Sequence, residues 1–407
     1  MNSNFWLTNA GLETGFQFDN GIVTGTKTEF FHLLIKNGKI EQIISADEIL
    51  TDDLPKKDAK HLLVLPSFVE KHCHLDKTLL GDRWRAVTPV KNIFGRFETE
   101  KTVLPTLETS TQERAEKLLD IYLKSGVTHV RTHVDLYPEV GLKNLEEVQK
   151  ALQTFEGKLS YEIVAFPQHG LLLSNAKELV REAVRQGANF VGGVDPATVD
   201  GDIEASLQEM VELAVDGNVG IDLHLHDADH LGIFTMKRLA KLTKEAGLQG
   251  KVAISHAFGL GDISEVQAEA MAEILEDAGI TIITSVPLGR KFPPVGLLHR
   301  KGVSVAVGCD NIFDVWSPFG NGDVLERGGR LAEISGWSNE RALAQTLYFI
   351  TGGKTPLNLE GKQIWPKVGD EANMVVVDAS CSAETIARRS KRIATMFKGN
   401  IVSGSLE

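Results

Sequence analysis

Cysteine is scarce in this chain. Cys73, Cys309 and Cys381 are the only three among 407 residues, and an odd count without paired spacing excludes a disulfide framework. No uninterrupted apolar stretch approaches the roughly 20 residues of a membrane span. The opening Met-Asn-Ser-Asn-Phe-Trp-Leu-Thr-Asn-Ala lacks the positive region and apolar core of a secretion signal. Basic clusters are missing too: 43 Lys and Arg stand against 55 Asp and Glu, a net charge of −12, and no run of cations could neutralise a row of phosphates. These absences point to a protein of the cytoplasm with no nucleic-acid and no membrane partner. No internal repeat, low-complexity tract or Pro/Gly/Ser-rich linker divides the chain, yet its length exceeds what one core usually supports. One large domain and one small domain are expected.

Between residues 60 and 311, short β-branched apolar runs alternate with longer amphipathic, charged segments, the rhythm of repeated βα units around a parallel sheet. Eight strand candidates stand out: 62–72, 127–134, 159–166, 189–194, 220–226, 252–256, 280–286 and 303–309. Eight closes a barrel. Helices are expected over 111–124, 177–186, 237–246 and 265–278, each followed by a glycine within two residues. The flanks have little helical periodicity, and Asn37-Gly38 between two apolar runs is a hairpin signal. The fold class expected is α/β: a (β/α)8 TIM barrel over 62–354, with a small β-sandwich domain built from both chain termini, 1–61 plus 355–407.

Chemistry concentrates where these strands end. His72 and His74 close the run Leu-Leu-Val-Leu-Pro-Ser-Phe-Val-Glu-Lys-His-Cys-His. Residues two apart in a strand share a face, so both imidazoles can aim into one cavity, with Cys73 and Leu75 turned away. Cys73 and Cys309 therefore read as small buried apolar groups. Three later runs end in His224, His256 and Asp310. Strand ends of such a barrel form the catalytic face. Three imidazoles and a carboxylate with room for water suit a catalytic divalent metal, which lowers the pKa of bound water from 15.7 to about 7. Asp310 would touch the metal or its water as base, and His256 would hydrogen-bond the water or the tetrahedral intermediate. His129 and His133, four apart on one strand, are expected as support for the ligands or as core; His169, His230 and His299 carry no functional expectation.

The segments Pro66-Ser-Phe-Val-Glu-Lys-His-Cys-His-Leu-Asp-Lys77, His129-Val-Arg-Thr-His-Val-Asp135, Ile163-Val-Ala-Phe-Pro-Gln168, Ser255-His256 and Gly308-Cys-Asp-Asn-Ile-Phe-Asp-Val-Trp316 resemble the bacterial cytosine deaminases and their relatives in the amidohydrolase superfamily. The resemblance covers nearly the whole chain. It implies one metal, zinc or iron, held by His72, His74, His224 and Asp310, with His256 on the hydrolytic water, Gln168 binding the ring and Trp316 forming a wall. It also suggests a homo-oligomer. The chain departs from that pattern after strand five, where His224-Leu-His-Asp227 replaces His-x-Asp-Glu, so Asp227 or His226 must take over the proton shuttle of the family's glutamate. Lys77 and Asp195, in Gly192-Gly-Val-Asp-Pro196, are similar to residues that serve substrate binding or catalysis in the N-isopropylammelide amidohydrolases.

The expected activity is hydrolytic deamination of an amino- or alkylamino-substituted nitrogen heterocycle, an oxo-pyrimidine or oxo-triazine, by metal-bound hydroxide. Two alternatives stand beside it. A hydantoinase-like cyclic-amide hydrolase would have two metals bridged by a lysine after strand four, where this chain has Asp195. A non-catalytic binding relative would be expected to have lost ligands that are present here.

Overall fold

The computed structural model describes residues 4–406, in which the strands fall into two sheets. The first begins with β1 (Phe5–Asp19), β2 (Ile22–Lys36), β3 (Lys39–Ser45), β4 (Lys56–Asp58) and β5 (Leu63–Pro66). β2 and β3 meet at the anticipated Asn37-Gly38 turn, where both residues have positive φ (50° and 78°), as a two-residue hairpin loop requires. The second sheet is the barrel: β6 (Phe68–Cys73), β7 (Val127–Asp135), β8 (Ser160–Phe166), β9 (Phe190–Val194), β10 (Gly220–His224), β11 (Val252–Ser255), β12 (Ile280–Thr284) and β13 (Val305–Val307), parallel and in sequence order. Closure comes from a parallel bridge between Cys73 and Asp310, whose N–H donates to the His72 carbonyl at 2.7 Å. β14 (Met374–Val377), β15 (Arg392–Phe397) and β16 (Asn400–Gly404) then return to the first sheet, β14 pairing antiparallel with β5.

The run 62–72 is therefore two strands rather than one, and the terminal sheet reaches Pro66, past the expected limit at residue 61. The run reads as continuous because each part is buried against a different partner. Leu63, Leu65 and Phe68 belong to the core between barrel and helices, whereas Val64 packs with Phe5, Leu33, Trp365 and Met374 in the core of the terminal sheet.

The helix Thr111–Lys124 opens on a capping box in which Ser110 and Glu113 exchange hydrogen bonds, and Glu265–Asp277 opens on another from Ser264 and Gln267. The helix expected from residue 237 begins earlier, at Asp229, because Ala228 offers no side-chain cap to mark its start. A helix that the sequence pattern does not show, Ile93–Val103, lies over the barrel mouth; its Phe97 packs with Phe166, Val194, Val199 and Trp316. All three cysteines are free and buried, and burial pushes the Cys73 and Cys309 thiols well up, as inert packing groups. No helix among the described residues is long and apolar enough to cross a membrane.

The two chain ends are tied by Glu13 on β1, which accepts from both the N–H and the hydroxyl of Ser382, the first residue of the helix Ser382–Arg388. Burial pushes Glu13 up from 4.5 to about 7. Its folded-state pKa lies above the unfolded one, so its contribution is complete below about pH 4.5 and is lost as the pH rises through about 7. Glu13→Gln should flatten the loss of stability between pH 5 and 7.5 by up to about 3 kcal/mol at 1.36 kcal/mol per unit. Denaturant unfolding of both proteins across that range checks it; parallel curves would refute it.

Candidate active site

The site is assembled where β-strands give way to left-handed backbone. Asp195 and His256 follow directly on β9 and β11, and Asp310 lies just past β13, with φ of 37°, 71° and 61°. Such residues cost about 1–3 kcal/mol each and persist where surrounding structure overdetermines them. Here the turn ends each ladder at the functional side chain. Close approach of β6 to the segment after β13 needs Gly308: a Cβ there would lie 2.6 Å from both Glu70 Oε1 and His72 Cβ. Glu70, buried, accepts from the N–H groups of His72 and Cys309, both at 2.9 Å, and joins the first and last strands beneath the site.

The expected ligands converge. His72 Nε2 and His74 Nε2 lie 3.5 Å and 3.4 Å from the same oxygen of Asp310. The His72 ring is 4.6 Å from that of His224 and 4.9 Å from that of His256. His72 Nε2 and both nitrogens of His224 are buried without a hydrogen-bond partner, a costly state for lone pairs unless something accepts them. Burial pushes His74 down to about 3 and holds His224 well below the usual imidazole range, so both are neutral, as ligands must be. Burial works against ionising Asp310, but His256, His72 and His74 outweigh it and hold the carboxyl well below its usual range. Neutral nitrogens around one carboxylate fit a divalent cation.

His133 is nearer to this cluster than its spacing alone suggested. It is fully buried, its ring is 4.2 Å from His72 and 4.4 Å from His224, and neither of its nitrogens has a hydrogen-bond partner, although Nε2 lies 3.9 Å from Asp222 Oδ2. With His72 and His224 it forms a second group close enough to share an ion, overlapping the group of His72, His74 and Asp310.

Of the two candidates for the proton shuttle, the structure turns one inward and one away. His226 stacks on His256 with centroids 4.4 Å apart, and its Nδ1 is 2.9 Å from Asp195 Oδ2. Burial alone would lower its pKa; Asp195 and then Asp310 overcome this and raise it. Asp227 instead takes hydrogen bonds from the Thr198 hydroxyl and the Ala197 N–H, so its carboxylate is committed to the loop after β9.

Lys77, expected to bind substrate, is 1% exposed; it donates to Gln168 Oε1 at 2.7 Å and is ion-paired with Asp135 Oδ2 at 2.9 Å and Glu100 Oε1 at 3.2 Å. All three of these partners lie within the protein. Lys77 therefore reaches a ligand through Gln168, whose Oε1 it occupies. Trp316 Nε1 donates to Glu100 Oε1 at 2.7 Å, fastening the mouth helix to the same cage. Sequence reasoning missed Glu100 and Asp135. Asp135 could have been found as a carboxylate two residues past His133 on the same strand; Glu100 sits on a weakly amphipathic helix and carries no local signal. His169 is sandwiched by Tyr137 and Phe97, His230 is exposed and His299 packs on Tyr348, all apart from the cluster.

Three comparisons bear on this geometry. The profile of the Amidohydrolase family matches residues 146–403. An uncharacterized protein of Escherichia coli (strain K12), YahJ, is 42% identical over 405 residues, covering 99% of this chain and 88% of its own length. Among solved structures, N-isopropylammelide isopropylaminohydrolase from Burkholderia multivorans superimposes with a TM-score of 0.87 at 28% identity over 99% of both chains. The 5-methylcytosine deaminase from Klebsiella pneumoniae, liganded with 5-fluorocytosine, does so with a TM-score of 0.80 at 25% identity over 98% of this chain and 97% of its own.

Proposed function

Because this chain belongs to the amidohydrolase family, hydrolases of carbon–nitrogen bonds, we propose that it removes ammonia or an alkylamine from a nitrogen heterocycle by hydrolysis. The ring is an oxo-triazine or oxo-pyrimidine. The observation that carries this reading is the single carboxylate of Asp310 between His72 and His74, facing the stacked pair His256 and His226. Support for the ring class comes from the N-isopropylammelide and 5-methylcytosine enzymes that share the fold over the whole chain.

His72, His74, His224 and Asp310 would hold one zinc or iron ion. When bound, such an ion supplies Lewis acidity that brings the deprotonation of water near neutral pH. Every other role falls to side chains. Asp310 accepts the proton of the attacking water and returns it to the leaving amine. His256 hydrogen-bonds the oxygen that becomes the new carbonyl. His226, kept protonated over a wider pH range by Asp195, donates to the ring nitrogen beside the reacting carbon. Gln168 has its Oε1 held by Lys77, so its NH2 is left to donate to a ring carbonyl. Trp316 and Phe97 close the pocket from above. Water and the ring N=C–NHR unit thus become HN–C=O and H2NR, the second water proton replacing the one that His226 gave to the ring nitrogen. The same reading makes the enzyme a cytoplasmic homo-oligomer acting on a small molecule, with neither nucleic acid nor membrane as partner; its net charge of −12 without a basic cluster suits that.

A mass-spectrometric screen of zinc- or iron-loaded protein against cytosine, isocytosine, ammeline, ammelide, N-alkylammelides and hydantoins tests the proposal. We expect one bound metal per chain and a product that has lost an amine and gained oxygen. A product that gains a whole water, with about two metals per chain, would replace deamination with cyclic-amide hydrolysis. No turnover of any ring by metal-loaded protein would favour the binding relative.

A further inference from the structure

Below the metal-ligand candidates runs a second polar chain that the mechanism above does not use. His72 Nδ1 lies 2.8 Å from Ser255 Oγ, and Ser255 Oγ donates to Asp222 Oδ1 at 2.7 Å. The other oxygen of Asp222 receives Arg131 Nη1 at 2.9 Å. Arg131 Nε donates in turn to Glu162 Oε2 at 2.8 Å, and Lys71 Nζ reaches the same oxygen at 3.0 Å. His72, Ser255 and Asp222 are all buried, so water does not compete for these bonds.

Counting donors fixes where the protons lie. Asp222, ion-paired with Arg131, has only acceptor sites, so the hydrogen between it and Ser255 belongs to the serine. The serine oxygen then turns a lone pair toward His72, and the imidazole must donate its Nδ1–H. Neutral imidazole carries one N–H, which leaves Nε2 with a free lone pair. Nε2 has no hydrogen-bond partner and lies 3.5 Å from Asp310 Oδ1. The opposite tautomer has an attraction of its own, because Nε2–H could donate to Asp310 and would close that nitrogen to an ion. The serine and aspartate oppose this.

We propose that Ser255 and Asp222 are positioning residues that lock His72 in the Nδ1–H tautomer and keep its Nε2 open as a metal ligand, with Arg131 anchoring the relay. This rests on the metal reading above. Partners of this kind behind a ligating histidine typically change metal affinity by about 10–100-fold.

The test is competition for zinc between the full-length protein and a chromophoric chelator. Ser255→Ala should bind zinc about 10–100-fold more weakly than the parent, and Ser255→Thr, which keeps the hydroxyl, should recover most of that loss. Zinc affinity of Ser255→Ala within about twofold of the parent would overturn the relay. A parent chain that retains no zinc would overturn the metal reading itself, so the two failures are distinct. Nitrogen-15 shifts of the His72 ring in the zinc-loaded parent give a readout that needs no variant: a protonated Nδ1 supports the proposal and a protonated Nε2 refutes it.

Discussion

Asp310→Asn should abolish nearly all turnover and leave the barrel folded. The two halves of this result have separate causes. Asparagine is among the few non-glycine residues that tolerate a φ near +61°, and its backbone N–H still reaches the His72 carbonyl to close the barrel. Its side chain, though, cannot take up a proton. The carboxylate it replaces is held ionised beside His256, His72 and His74, and losing such a group typically costs about 10²–10⁴-fold in rate. Steady-state kinetics on the ring identified by the turnover screen, with circular dichroism as control, checks both halves. Retained activity would move the base to another group.

Lys77→Met has the largest expected effect on stability. The substitution fills similar space but leaves Asp135 and Glu100 facing each other in a closed cage without their cation. Breaking a buried ion pair from one side costs about 3–5 kcal/mol. The pH dependence has a definite sign. Burial already holds Asp135 well above the usual carboxylate range, with Lys77 opposing it; without the lysine the carboxyl takes up a proton more readily. The deficit should therefore be largest near pH 8 and shrink toward pH 5, as protonation relieves the unpaired charge. Denaturant unfolding at the two pH values measures it. A variant as stable as the parent at pH 8 would show that the cage has no net charge to balance.

The barrel was legible because eight apolar runs alternate with helical segments, and the helix over 111–124 was legible to the residue because Ser110 and Glu113 cap it. Strand ends were less so. The expected strands 252–256, 280–286 and 303–309 run one to two residues beyond the last ladder residue, while the backbone at His256, Val286 and Asp310 has turned left-handed. Hydrophobic pattern does not register that turn, although it falls where the chemistry sits. The convergence of the proposed ligands followed from strand-end spacing and from family resemblance. The Lys77 cage did not, because its members come from β7, the mouth helix and the loop after β8, segments with no pattern in common. Ser255 and Asp222 were equally hidden: each lies inside an apolar run and reads as strand interior.

The pairing of β5 with β14 also sets a timetable. Synthesis proceeds at roughly 5–20 residues per second, so once Pro66 is made, its partner Met374 follows roughly 15–60 s later. For most of that interval the nascent chain has His72 and His74 but neither Asp310 nor the strand that closes the barrel on them. An ion captured early would meet two imidazoles and no carboxylate, a weak and unselective grip. If these residues hold the proposed ion, metal choice would be made late, by a nearly finished chain, with the last quarter of the protein deciding when the site becomes one.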